Sequence, residues 1–159
     1  YKRQVSVPLG GVMKTIVHSL AETKLLAECI AKRIEPGMLL TLSGDLGAGK
    51  TTFTKYLGAA LGVKKTINSP TFTILKVYYG RMPLYHIDAY RMEGISQDLG
   101  FEEYYDSDGV CIIEWPAFME DQLPNDRLDI CIKRIDEEKR EVVLEAKGFR
   151  HEALLEDII

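Results

Sequence analysis

The chain has 159 residues, 46% of them hydrophobic and 28% charged, with a formal net charge of −4. That length suits one domain burying roughly two-thirds of its unfolded surface, and the composition is that of an ordinary globular protein. No apolar run reaches membrane-spanning length, no secretory leader pattern opens the chain, and the acidic balance argues against a protein that grips a nucleic-acid backbone by itself.

Residues 1–12 have no clear period and read as a natural extension or an expression remnant ahead of a single domain over residues 13–159. Thr15-Ile16-Val17-His18 reads as a short strand. Ser19-Leu20-Ala21-Glu22 has the form of a capping box, and Thr23, Leu26, Ile30 and Ile34 follow at helical spacing. Glu35-Pro36-Gly37 stops that helix before the apolar run Met38 to Leu42, a buried strand. A second helix carries Phe53, Leu57, Ala60 and Leu61 on one face, with Gly62 at its C-terminal cap. Asn68-Ser69-Pro70-Thr71 signals a turn, and Phe72 to Tyr79 is rich in β-formers. Leu84 to Ile87 is a further short strand, Ser96 to Tyr105 is helix-compatible, and Val110 to Ile113 is a continuous apolar strand. Leu128, Ile130 and Ile132, then Val142, Leu144 and Ala146, alternate with polar neighbours on either side of Asp136-Glu137-Glu138, which predicts an antiparallel hairpin. A short helix after His151 closes the chain.

The fold class is therefore α/β: a mostly parallel sheet with antiparallel strands at its margins, flanked by helices. Cys29, Cys111 and Cys131 sit inside apolar patterns without pair or metal spacing, so all three read as core thiols in a reducing cytoplasm. His18, His86 and His151 are too scattered for a dense metal cluster.

Chemistry concentrates between the first buried strand and the second helix. Gly44-Asp45-Leu46-Gly47-Ala48-Gly49-Lys50-Thr51-Thr52 fits the phosphate-loop pattern G-x-x-x-x-G-K-[ST], with the strand and helix on either side that the pattern requires. Its glycines let backbone N–H groups curl around phosphate oxygens, and the helix N-terminus adds partial positive charge. Lys50 is expected to reach the β- and γ-phosphates and Thr51 to coordinate magnesium. The Asp45 side chain would oppose phosphates at short range, so it is expected to face solvent or a partner.

Hydrolysis needs carboxylates at strand ends to hold the metal and orient water. Asp88 and Glu114 each end a short strand and are the candidates, Glu114 the stronger because its strand is more apolar. Thr71 belongs to a segment able to close on the γ-phosphate or to a plain turn. Trp115 stacks near the nucleotide or is a buried aromatic. Thr23 and Arg140 are candidates for the base contact by position alone. No N-K-x-D element for guanine occurs, and Asp106-Ser107-Asp108-Gly109 precedes its strand instead of following one, so ATP with Mg2+ is the expected ligand.

Four blocks together resemble the TsaE (formerly YjeE) family of bacterial ATPases serving threonylcarbamoyladenosine synthesis on tRNA. They are Gly44 to Thr52, Ser69-Pro70-Thr71-Phe72-Thr73, Tyr85-His86-Ile87-Asp88-Ala89-Tyr90-Arg91 and Glu114-Trp115-Pro116. Their order and spacing match from about Ser19 to Ala146, with small departures at Ile87 and Ala89, where the family often has Phe and Leu. The resemblance implies that Lys50 and Thr51 serve phosphates and magnesium, Thr71 a switch-like segment, Asp88 and Glu114 the metal and water, and Trp115 the edge of the nucleotide site. It also implies a weak ATPase that works with two partner proteins, TsaB- and TsaD-like, and meets tRNA only through them, with no membrane involved. A small-molecule kinase with a phosphate loop, and an adaptor in which ATP shapes a docking surface without required turnover, are the alternatives.

Overall fold

The computed structural model describes residues 11–68, 74–94 and 100–158. Within them a seven-stranded sheet is built from β1 (Val12–Val17), β2 (Leu39–Ser43), β3 (Leu75–Tyr79), β4 (Pro83–Asp88), β5 (Val110–Glu114), β6 (Arg127–Arg134) and β7 (Arg140–Lys147). Its strand order is β1-β7-β6-β2-β5-β4-β3. The inner four strands, β6, β2, β5 and β4, run parallel, while β7, β1 and β3 join antiparallel at the two margins. This is the α/β arrangement expected from the pattern. β2 and β5 lie at the centre because their unbroken apolar runs suit burial on both faces: all five residues of β5 and four of five in β2 are buried.

The helices α1 (Leu20–Ala31), α2 (Lys50–Ala60) and α3 (Phe149–Ile158) share one core with one face of the sheet, around Leu26, Ile30, Phe53, Leu57, Leu40, Leu42 and Leu154. The other face is covered by short 3₁₀ segments, including Phe101–Tyr104 and Pro116–Gln122, packed on Ile87, Cys111 and Ile113. At about 1.5–3 kcal/mol for each large apolar side chain removed from water, Phe53 and Leu57, both fully buried, fasten α2 and hence the loop before it.

Several element ends differ from the sequence reading. β1 begins at Val12, three residues before the expected strand, because Val12 to Thr15 all find partners on β7. The capping box forms in altered shape. Ser19 Oγ accepts the Glu22 N–H at 3.2 Å, but the Glu22 carboxylate accepts the N–H of His18 at 2.9 Å, one residue beyond the usual return. α3 starts at Phe149, so His151 lies within it and is buried. Its Nε2 accepts the Leu39 N–H at 3.1 Å and its Nδ1 stands 2.6 Å from Asp126 Oδ1, which ties the last helix to the start of β2. The expected helix over Ser96 to Tyr105 falls partly outside the described residues, and its described end is the 3₁₀ segment Phe101–Tyr104.

The cysteines correct the expectation of three core thiols. Cys111 is buried, Cys29 half-buried and Cys131 exposed. On β6 the inward face is taken by Leu128, Ile130 and Ile132, and the two-residue period of a strand turns Cys131 outward.

A candidate phosphate site at the carboxyl edge of the sheet

β2 delivers the chain into the loop at Gly44, whose φ of +146° and closeness to the Ile132 carbonyl leave no room for a side chain. Gly47 (φ +78°) and Gly49 (φ +109°) complete the curl, and Gly49 is the residue before α2, with no side chain capping that end. The first-turn N–H groups of α2 therefore face the loop's hollow, the arrangement that attracts anions. Asp45, Leu46 and Gly47 are exposed, Ala48 is buried, and Thr51 and Thr52 are half-buried on the first turn of α2. Asp45 thus lies toward solvent, as its charge requires.

Lys50 is folded back into this loop. Its Nζ donates to Gly44 O at 2.6 Å and to Asp45 O at 3.0 Å, and it stands 4.2 Å from the centre of the Trp115 ring. Burial pushes its pKa below the ordinary lysine value, against the opposing pull of Glu114, then Asp45 and Asp88. The same three carboxylates give this buried cation its counter-charge.

Asp88 and Glu114 are register partners at the ends of parallel β4 and β5. The strand ends are locked together: the Ala89 N–H donates to Glu114 O at 2.9 Å, and the Trp115 N–H to Leu42 O at 3.2 Å. Asp88 Oδ1 accepts the Tyr90 N–H at 3.0 Å. Glu114 is only 2% exposed, and its Oε2 lies 2.6 Å from Nε2 of the fully buried His86. Trp115 follows in a left-handed conformation (φ 59°, ψ 52°), a state that stores about 1–3 kcal/mol for a residue with a side chain. Half-buried, it stacks on Phe118 at 6.1 Å and meets the edge of Tyr90 at 5.1 Å. The Trp115 ring is thus packed among aromatics and also covers the loop lysine.

On the hairpin side of the loop lies a cavity of ≈ 540 Å³, lined by the start of α1, the loop and the β6–β7 turn. Thr23 and Arg140 both line it, along with Ser19, Gly47, Thr52 and Glu138. Arg140 braces this wall: Nε donates to Ala48 O at 2.9 Å, and Nη1 to Asp136 O at 2.8 Å and Lys139 O at 3.0 Å. Thr71 lies outside the described residues. The discounted Asp106-to-Gly109 string precedes β5 and so sits at the opposite, amino edge of the sheet, where Asp108 Oδ1 accepts the Tyr85 hydroxyl at 2.7 Å. His86, Tyr90 and Phe118 are the site residues that sequence reasoning passed over. For His86 a signal existed, since it stands two residues before Asp88 and so shares its face of β4.

A glycine loop that leaves the central strand of a parallel sheet and opens a helix places the protein among the phosphate-loop α/β proteins. Comparison with known proteins narrows this. A family model described as threonylcarbamoyl adenosine biosynthesis protein TsaE matches residues 17–142. The chain is 52% identical over 138 residues to the tRNA threonylcarbamoyladenosine biosynthesis protein TsaE of Bacillus subtilis, covering 86% of this chain and 87% of that one. It is 36% identical over 134 residues to the protein of the same description from Treponema pallidum, covering 83% of this chain and 99% of the relative. Among solved structures, the crystal structure of YdiB from Bacillus subtilis superposes with a TM-score of 0.78 at 42% identity, covering 96% of this chain and 97% of that one. The chain belongs to the TsaE family.

Proposed function

We propose that this chain is a magnesium-dependent, ATP-binding and weakly hydrolysing accessory subunit in the synthesis of threonylcarbamoyladenosine beside the tRNA anticodon. The observation that carries the chemistry is the meeting of Lys50 with Asp88 and Glu114 at one sheet edge, over the N-terminus of α2. The pathway rests on the family and on the names of its relatives.

The base and ribose would occupy the cavity beside Thr23 and Arg140, with the phosphates over the loop N–H groups. Lys50 exchanges its two carbonyl partners for β- and γ-phosphate oxygens. Among the described residues no group of three or more His, Cys, Asp and Glu gathers for a metal. A hydroxyl with one or two carboxylates is nonetheless the donor set that suits Mg2+, which takes its remaining oxygens from phosphates and water. Thr51, Asp88 and Glu114 would hold the ion, which when bound neutralises charge on the triphosphate and polarises the γ-phosphoryl group. Asp88 orients the attacking water, and the buried Glu114 keeps a fixed negative charge beside Lys50.

The net charge of −4 fits a subunit that meets tRNA only through TsaB- and TsaD-like partners. Among the described residues no helix is long and apolar enough to cross a membrane. The test measures ATP hydrolysis and the modified nucleoside with the chain alone and with both partner proteins. Slow turnover that rises with the partners, and modification that depends on this chain, are expected. Partners that fail to bind, or that leave both readouts unchanged, would contradict the proposal. Saturable phosphorylation of one metabolite would favour the kinase alternative, and full biological function of Glu114→Ala without turnover would favour the adaptor.

A further inference from the structure

His86 is absorbed by none of the roles above, yet it is among the most completely buried polar residues of the protein, with no exposed surface. It lies on β4 opposite Ile112 of β5, and the next inward-facing residues along the two strands are Asp88 and Glu114. All four side chains therefore share the face covered by α2. From one pleat deeper in the sheet, the His86 ring meets the Glu114 carboxylate, with Nε2 and Oε2 2.6 Å apart. Its other nitrogen, Nδ1, is buried without a hydrogen-bond partner among the described residues. Buried polar atoms without partners are uncommon, and the polar contact this ring makes is the one to Glu114. A purely structural histidine in this protein looks different: His151, equally buried, engages both nitrogens.

We propose that His86 is a positioning residue for Glu114. With Nε2–H donating to Oε2, the ring fixes the carboxylate rotamer, turns one oxygen toward the core and leaves Oε1 to the loop. Without that bond a carboxylate at the end of a strand can swing between Lys50 and solvent, and a misplacement of about 1 Å is enough to cost a large factor in rate. The inference rests on the reading of Glu114 as a residue of the hydrolytic site.

The test uses His86→Gln and His86→Asn in the full chain. The glutamine amide reaches the position of Nε2, whereas the asparagine amide stops near Nδ1. Hydrolysis is measured together with the Mg2+ concentration for half-maximal nucleotide binding, the Mg2+-free affinity for ADP, and the melting temperature. The proposal expects His86→Asn to lose at least about tenfold in kcat and to need more Mg2+, with KM for ATP and Mg2+-free ADP affinity unchanged. It expects His86→Gln to recover most of that loss. It also expects the double variant His86→Asn/Glu114→Gln to hydrolyse no more slowly than Glu114→Gln alone, because the histidine acts through the glutamate. Three results would overturn it: wild-type Mg2+ dependence in His86→Asn, equal losses in both His86 variants together with Mg2+-free ADP affinity, or additive losses in the double variant. If Glu114→Gln itself turns over like the wild type, the reading of the site fails first and the inference with it. If Glu114→Gln is inactive and His86→Asn is normal, only the inference fails.

Discussion

Lys50→Met should separate the stability of the empty loop from its affinity for triphosphate. In the folded chain Lys50 is 6% exposed, and its ammonium holds two carbonyls and an indole face. Hydrogen bonds from a charged donor contribute about 1.5–3 kcal/mol each, and a desolvated cation–π contact up to about 2 kcal/mol. Desolvating an ammonium costs several kcal/mol. The lowered pKa says that burial wins, so the charged form is less favourable in the folded loop than in water. The sign then follows from linkage. Below the folded pKa both states carry the proton and the native state bears the penalty. As pH rises from the folded pKa toward the ordinary value of 10.5, the native state releases its proton and gains stability relative to the unfolded chain. Methionine, similar in length and uncharged, removes the penalty at every pH. At neutral pH the variant should melt at the wild-type temperature or up to about 4 °C above it, equivalent to about 1 kcal/mol. The gap should close as pH is raised toward 10. Loss of one charge-assisted phosphate contact should meanwhile weaken triphosphate binding about 10- to 100-fold. Differential scanning fluorimetry across pH, with calorimetric titration of ATP, measures both. A fall in melting temperature of more than about 4 °C would mean that Lys50 is a net structural tie and would refute the reasoning.

Glycine positions in the loop should differ in their tolerance. Gly44→Ala would overlap the Ile132 carbonyl oxygen as well as adopt positive φ, whereas Gly47→Ala meets nothing within 4 Å. Denaturant melts should show a loss of about 1–2 kcal/mol for Gly47→Ala and a clearly larger one for Gly44→Ala. Phe53→Ala, at a fully buried position on α2, should lose about 3–5 kcal/mol in the same melts. Native thiol titration at pH 8 should find Cys131 reacting first and Cys111 inert, because Cys111 is buried with its thiol pushed up to about 12. As the chain's single tryptophan, Trp115 should report nucleotide binding by a change in emission when Lys50 leaves its ring, and Lys50→Met should abolish most of that change.

Where local chemistry decides position, the sequence was readable. The loop is legible because the positive φ at Gly44, Gly47 and Gly49 favours glycine, and the sheet's parallel centre because β2 and β5 lack the alternation of an exposed face. Asp88 and Glu114 were legible as strand ends, but their adjacency depends on the order β2-β5-β4, which no local pattern encodes. Thr23 and Arg140, candidates for the base contact by position alone, both line the cavity, and the bracing of the loop by Arg140 needs the hairpin to fold over it. Cys131 was misread because strand membership was taken as burial without counting its phase against Ile130 and Ile132. His86 was passed over because its histidine neighbours along the chain are far away, while its real partner comes from the next strand, 28 residues on.

On the function proposed above, Lys50, Asp88 and Glu114 form one magnesium-dependent hydrolytic site. Phosphate release by the wild type and by Glu114→Gln, at saturating ATP and Mg2+ with binding confirmed by calorimetry in the same buffer, tests it most directly. Glu114→Gln is expected to bind ATP within a few-fold of the wild type and to lose turnover by about 100-fold or more, the scale of removing a preorganised charge from a reacting site. Turnover by Glu114→Gln equal to that of the wild type would contradict it.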